Sequence, residues 1–459
     1  MAPSDLPIKD AASQDRGLSL NNTFRALRHR NFQLFFSGQL ISLTGTWMQS
    51  VAQAWLVYRM TGSALLLGSV GFIGQIPIFL VSPLGGIVAD RYDRRRVVIA
   101  TQVASMALAV TLAALTLTHR ITVQDIFWLA ALLGVVNAFD VPGRQSFLVE
   151  MVGKEDLINA IALNSSMFNG ARIIGPAIAG LLVARIGEGW CFFVNAVSYI
   201  AVIIGLMMMR IPPREQRPQG SPIAHVIEGF RFVKRTAPIR AILLLVGLVS
   251  LVAMPYTVLM PIFADRILNG GGQEFATLIG SHDLGAVRLG ILMGATGVGA
   301  LLGALTLATR TGVYGLGRWI TFSCAGFGVS LFAFALSQNF WISTTLLVPV
   351  GFCMMLQMSS SNTLIQAMVP DDLRGRVMSL YSMMLMGMAP FGALFGGALA
   401  ARLSAPLTVT MGAIAAVGGA LIFGIRLPKL RVEARKLIVA QGMVGGEPAQ
   451  LTTTREVED

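Results

Sequence analysis

Hydrophobic positions in this chain come in runs of roughly 20 residues broken by short polar stretches, the length that crosses a hydrocarbon layer of ~30 Å. Twelve such runs are read, at 32–58, 63–89, 97–118, 122–145, 157–184, 190–210, 240–264, 284–309, 318–337, 340–366, 373–401 and 405–427. Each is expected to be a helix, because an open strand edge leaves backbone groups unsatisfied in lipid. The fold class that follows is an all-α membrane protein of twelve transmembrane helices. The longest connection splits them six and six, giving an N-terminal segment (1–31), a six-helix bundle (32–210), a linker (211–239), a second six-helix bundle (240–427) and a tail (428–459).

The linker opens with Pro212 and Pro213. It continues with Ile223, Val226, Ile227, Phe230 and Val233 at helical spacing, with Arg231, Lys234 and Arg235 between them. This reads as an amphipathic helix lying on the membrane surface. The halves echo each other: EDLINAIALNSSMF (155–168) opens the fifth run and DDLRGRVMSLYSMM (371–384) the eleventh. Two repeats of the same orientation are an arrangement found in secondary transporters.

Composition agrees with the runs: 54% of residues are hydrophobic and 13% charged, against roughly 25% charged in soluble proteins. The net charge of +12 has its place in the loops rather than on nucleic acid. With the N-terminus inside, the inner loops hold seventeen Lys and Arg against six outside, and Trp55, Trp128, Trp190 and Trp341 fall at outer span ends. The expectation is a multi-pass protein of the cell (inner) membrane with both termini cytoplasmic. The polar first 31 residues do not read as a signal peptide. Cys191, Cys324 and Cys353 have no paired spacing, so neither a disulfide nor a metal site is expected. No phosphate-binding loop or nucleophile constellation appears. An enzyme and a cofactor are therefore not expected.

One interruption asks for more than topology. In GGIVADRYDRRR (85–96) the arginines alone would fix orientation; the acids Asp90 and Asp93 are unexplained by it. Gly86 is expected to let the helix end pack closely. Two six-helix halves joined around this loop resemble the major facilitator superfamily. Its signature is Gly, three residues, Asp-Arg, one residue, Gly, then Arg-Arg or Arg-Lys; Gly86, Asp90, Arg91, Arg94 and Arg95 match, with Asp93 in place of Gly. FRALRHRNFQLFFSGQLISLTGTWMQSVAQAWLVYRMTGS (24–63), FDVPGRQSFLVEMV (139–152) and NGARIIGPAIAGLL (169–182) are similar to the siderophore-exporter-like and macrolide-efflux-like branch, the transmembrane secretion effectors. The resemblance implies a cytoplasmic gate: Asp90 meets the N-terminal end of span 11 near Asp372, and the neighbouring arginines meet an acid at the inner end of span 4, for which Asp140 is the candidate. In the second half, TRTGVYGLGRW (309–319) lacks the Asp and most of the Arg residues. The stretch 265–288 is long and Gly-rich and is expected to be a tolerated surface insertion.

Several span residues stand out. Gln39, Ser42, Thr46, Gln49 and Gln53 recur on one face of span 1 and are expected to line a substrate cavity. Gln357 and Asn362 make the inner half of span 10 polar and join that cavity; interhelical hydrogen bonding is the alternative use. Arg172 is the only basic residue deep in a span, expected either to pair with an acid or to meet an anionic substrate group. ARIIGPAIAG (171–180) resembles the antiporter signature of drug exporters at Gly175, Pro176 and Gly180. Together these readings describe a monomeric secondary exporter of an amphipathic, drug- or siderophore-like small molecule, working by alternating access and coupled to protons, with Asp140 the best titratable candidate. A lysophospholipid or nutrient transporter of the same fold and a non-transporting scaffold or sensor are the alternatives.

Overall fold

The first long helix stops where the backbone turns left-handed. Gly62 takes φ 61° and donates its N–H to the Tyr58 carbonyl at 2.7 Å. Ser63 then caps the next helix by accepting from the Leu66 N–H at 3.3 Å. Similar punctuation recurs: a reciprocal capping box of Thr122 and Asp125, Asp283 accepting from the Ala286 N–H, and Asn339 accepting from Trp341 and Ile342. Caps of this kind set the boundaries that hydropathy leaves vague.

The computed structural model describes residues 25–153, 155–210, 222–278, 283–309 and 312–440. Lys154, Pro212, Pro213, Arg214, Arg217 and Arg310, and the side chains of Asp90, Ile223, Val226, Ile227 and Asp372, lie outside the described residues. The N-terminal half comprises α1 (Arg30–Thr61), α2 (Ala64–Arg91), α3 (Arg94–Leu117), α4 (Val123–Val152), α5 (Leu157–Ile186) and α6 (Glu188–Met207). The linker helix is α7 (Pro222–Arg235). The C-terminal half comprises α8 (Ala237–Ile267, interrupted), the short α9 (Gln273–Leu278), α10 (Leu284–Ala308), α11 (Leu316–Leu336), α12 (Phe340–Met368), α13 (Asp371–Ser382 continued by Ala389–Arg402) and α14 (Ala405–Ala440).

Among the described residues eleven helices are long and apolar enough to cross a membrane. The twelfth span is α1, which has the length, 32 residues, but whose amides and hydroxyls lower its hydropathy. The internal repeat is visible in the packing. Within the first half α1 packs on α6, α3 on α6, α2 on α4 and α3 on α4. The equivalents α8 on α14, α11 on α14, α10 on α12 and α11 on α12 recur in the second. The halves meet along two related seams, α2 against Ala389–Arg402 of α13 and α5 against α10.

Three departures from the expected spans have physical causes. Helix α4 continues to Val152 rather than ending near 145, and α14 runs to Ala440 rather than 427. Both helices outlast their apolar runs because continuing costs no backbone hydrogen bonds. In α14 the extension is also anchored, with Arg431 donating to the Tyr314 hydroxyl at 2.6 Å. Helices α8 and α13 each contain wide π turns, at Val249–Ala253, Phe263–Ile267 and Met383–Gly387. The Ser250 hydroxyl donates to the Leu385 carbonyl at 2.6 Å, satisfying an acceptor that the wide turn frees.

Candidate functional site

Small residues bring the two halves into backbone contact on the face opposite the 90–96 loop. A Cβ on Gly180 of α5 would stand 2.2 Å from the Gly290 Cα of α10. One on Gly68 of α2 would stand 2.3 Å from the Ala393 carbonyl oxygen of α13. Polar clasps sit beside these contacts. The Trp55 indole N–H donates to Asp283 at 3.2 Å, the Tyr58 hydroxyl donates to Asp265 at 3.0 Å, and the Arg266 guanidinium lies 5.7 Å from the Tyr58 ring centroid. Gly285 leaves room for the Trp55 ring, which a Cβ there would meet at 2.3 Å. The described parts of 265–288 are therefore built into the contact between halves rather than forming a bystander insertion. Arg288 ties them together by donating to the carbonyls of Gly271 and Asn269.

On the basic face Arg94 and Arg95 make contacts within the first half. Arg94 donates to the Ser146 carbonyl at 2.8 Å and pairs with Glu150 at 3.0 Å, the two side chains only 11% and 16% exposed. Arg95 donates to the carbonyls of Leu206 and Met207 at 2.7 and 2.6 Å, completing the C-terminal end of α6, where a cation also suits the helix dipole. Asp93 caps α3 by accepting from the Arg96 N–H at 3.3 Å, which explains the acid that topology left over. Arg91 ends α2. The close approach expected at Gly86 occurs one residue earlier. A Cβ on Gly85 would lie 2.1 Å from the Ala138 carbonyl oxygen, whereas one on Gly86 meets nothing within 4 Å. The start of α13 packs on α7, and Arg376 pairs with Glu228 at 2.6 Å.

Asp140 is not the partner of the motif arginines. It is 2% exposed and accepts from Thr101 at 2.8 Å and Gln102 at 2.9 Å, while its second oxygen stands 2.6 Å from Arg144 Nε. Ten residues separate it from Glu150, about 15 Å along the helix. The inner-end acid of α4 is Glu150, which sits on the extension that the apolar run did not disclose.

The polar stripe of α1 also divides. Gln39, Ser42 and Gln49 are buried, and the Asn195 amide of α6 donates to Gln49 at 2.7 Å. Gly38 and Gly45 admit the α6 backbone and the Asn195 side chain so closely that this face serves helix contact rather than a wet wall. Thr46, 3.5 Å from the Tyr199 hydroxyl, and Gln53 are half-buried. The α5 signature has two uses. Gly175 admits α1 at Thr44–Met48, Pro176 is buried inside the helix, and Gly180 forms the α10 seam.

Arg172 lies fifteen residues into α5, about 22 Å from its start, and thus near mid-membrane. It reaches across the seam to the Met354 sulfur of α12 at 3.4 Å and lies 5.9 Å from the Trp47 ring centroid. Among the described residues no carboxylate pairs with it, so the acid expected as its partner is absent. One turn beyond Met354, Gln357 is 1% exposed with neither amide atom hydrogen-bonded among the described residues. Asn362 is half-buried and accepts from Gln366 at 2.5 Å.

This architecture has close counterparts. Residues 21–445 match the family described as transmembrane secretion effectors. The chain is 27% identical to a staphyloferrin A transporter of Staphylococcus aureus, over 78% of this chain and 87% of that protein. It is 26% identical to the enterobactin exporter EntS of Shigella boydii, over 89% and 93%. A solved POT family transporter in complex with 5-aminolevulinic acid superposes with a TM-score of 0.70, covering 87% of this chain and 96% of that one at 11% identity, a likeness of fold. The chain therefore belongs to the transmembrane secretion effectors of the major facilitator superfamily and is a membrane transporter, not an enzyme.

Proposed function

We propose that the protein exports a siderophore-like or similarly amphipathic small molecule across the cell membrane by alternating access, driven by inward proton movement, with both termini cytoplasmic. The observation that carries this reading is the unequal seam. At one face the halves are joined by Gly180–Gly290, Gly68–Ala393, Trp55–Asp283 and Tyr58–Asp265. Toward the basic face, the start of α13 packs on α7 and α12 of its own side. Among the described residues that asymmetry fits an outer gate that is shut while the inner end admits substrate. The reverse state would engage Asp90 and the start of α13, as the superfamily resemblance implies. The named relatives are a staphyloferrin A transporter and an enterobactin exporter; both support the substrate class, and the second supports the outward direction.

Asp265 and Asp283 accept the clasp hydrogen bonds on the outer side, where protons arrive. Loss of these bonds would favour outward opening, whereas Asp140 already accepts from Thr101 and Gln102 and lies in an ion pair with Arg144 inside the first half. A strain lacking its own siderophore exporters tests the reading. Expression of this chain should lower intracellular enterobactin, and the loss should cease when the proton gradient is collapsed. Unchanged retention with protein in the membrane would reject export of this class.

A further inference from the structure

Arg172 is a charge whose surroundings do not account for it. It is held near the middle of the membrane, where an unpaired cation is unfavourable, by a thioether and an aromatic ring face. These soft contacts recover only part of what a guanidinium loses on leaving water. From the other half, Tyr256 of α8 is the ionisable group that interacts electrostatically with it. Tyr256 is 1% exposed, and its hydroxyl has no hydrogen-bond partner among the described residues. The Thr296 hydroxyl beside it is spent on the Leu292 carbonyl, to which it donates at 3.1 Å. Two donors from opposite halves, one cationic and one neutral, thus lack an oxygen acceptor among the described residues.

The walls add a second requirement. Trp47 stacks edge-on against Phe168 with centroids 5.6 Å apart, and Met354 closes the C-terminal side. A flat or apolar body suits the aromatic pair and the thioether.

We infer that Arg172 and Tyr256 form a midplane subsite for a carboxylate carried on an aromatic or apolar body. The carboxylate accepts from the guanidinium and the tyrosine hydroxyl, while Trp47, Phe168 and Met354 take the body. Because the donors come from α5 and α8, the bound anion bridges both halves. Its hold changes when the halves rock, as release of a cargo requires. The inference rests on the transporter reading for its purpose but not for its test.

The test uses purified full-length protein and three matched probes: naphthalene-1-carboxylate, naphthalene-1-carboxamide and naphthalene-1-methylamine. Binding is read by calorimetry and by quenching of tryptophan fluorescence. The carboxylate should bind at least about tenfold more tightly than the amide, the scale of one charge-assisted hydrogen bond, and the amine should bind most weakly. Arg172→Gln should bring the carboxylate-to-amide ratio to near one, Arg172→Lys should keep part of it, and Tyr256→Phe should reduce it about two- to fivefold. Thermal unfolding and size-exclusion profiles establish that the variants are folded. Should Arg172→Gln misfold, the Lys and Phe variants still decide. A wild type that binds none of the probes, or binds the amide as well as the carboxylate, overturns the subsite, as does a ratio unmoved in the variants. Selective, Arg172-dependent binding without any transport would leave the subsite standing and sink the exporter reading; transport with no charge preference would do the opposite.

Discussion

Substituting Gly180 by Ala should open the outer gate. Ordinary van der Waals contact begins at 3.4 Å, whereas the new Cβ would lie 2.2 Å from Gly290 Cα, a backbone atom that cannot swing aside. The seam must therefore part locally by the difference, about 1.2 Å, or bear overpacking of roughly 1–3 kcal/mol. Replacing a helical glycine by alanine also favours the helix by up to about 1 kcal/mol, but equally in both conformations. Only the outer-closed state bears the clash, so the equilibrium should move toward the outward-open state by about 5- to 150-fold. Spin labels on Thr118→Cys and Ser404→Cys, exposed positions at the outer ends of the two halves, report this as a longer distance population. The native Cys191, Cys324 and Cys353 are replaced in the same background. Gly86→Ala is the internal control, because its Cβ meets nothing within 4 Å. Distance distributions that coincide for wild type and Gly180→Ala would refute the reasoning that this contact holds the gate.

Glu150→Gln should destabilise the protein by about 1.5–3 kcal/mol, because it removes the carboxylate that pairs with the largely buried Arg94; in thermal melts the double change with Arg94→Gln should be less damaging than the sum of the two. Asp283→Asn should weaken the Trp55 clasp by about 1.5–3 kcal/mol and raise labelling of outer-seam cysteines; unchanged labelling would count against the clasp. Gly85→Ala should impair insertion or stability while Gly86→Ala does not, since only the former meets the Ala138 carbonyl. The His29 hydrogen bond, with the Arg25 charge assisting, holds the Asp156 carboxyl below its ordinary value. This clasp is fully present above the unfolded-chain pKa of about 3.9 and is lost as pH falls through the lowered folded value. Hydrogen exchange of residues 25–29 should therefore stay slow from neutral pH into the ordinary carboxylate range and quicken only below it.

The spans and the repeat were legible because lipid imposes one length and one kind of element on every crossing. Partners across helices were less so. Asp140 looked like the acid for the arginine loop because α4 was expected to end near 145; with the helix running to Val152, Glu150 takes that place. Gly85 and Gly86 are indistinguishable in a string, and only the helix phase set by α4 decides between them. A polar stripe on α1 announces that a face avoids lipid, but whether it meets water or α6 depends on Gly38 and Gly45 admitting that neighbour. Asp93, unexplained by topology, immediately precedes Arg94 and the α3 run, a helix-cap signal that went unread. The wide turns of α8 and α13 left no sequence signal beyond Pro255 and a run of methionines.

The central claim is proton-driven export, and flux in inside-out membrane vesicles tests it most directly. Vesicles carrying this chain should accumulate enterobactin when respiration acidifies their lumen, and a protonophore should abolish the accumulation. Accumulation no greater than in vesicles lacking the chain, or undiminished by the protonophore, would contradict the account.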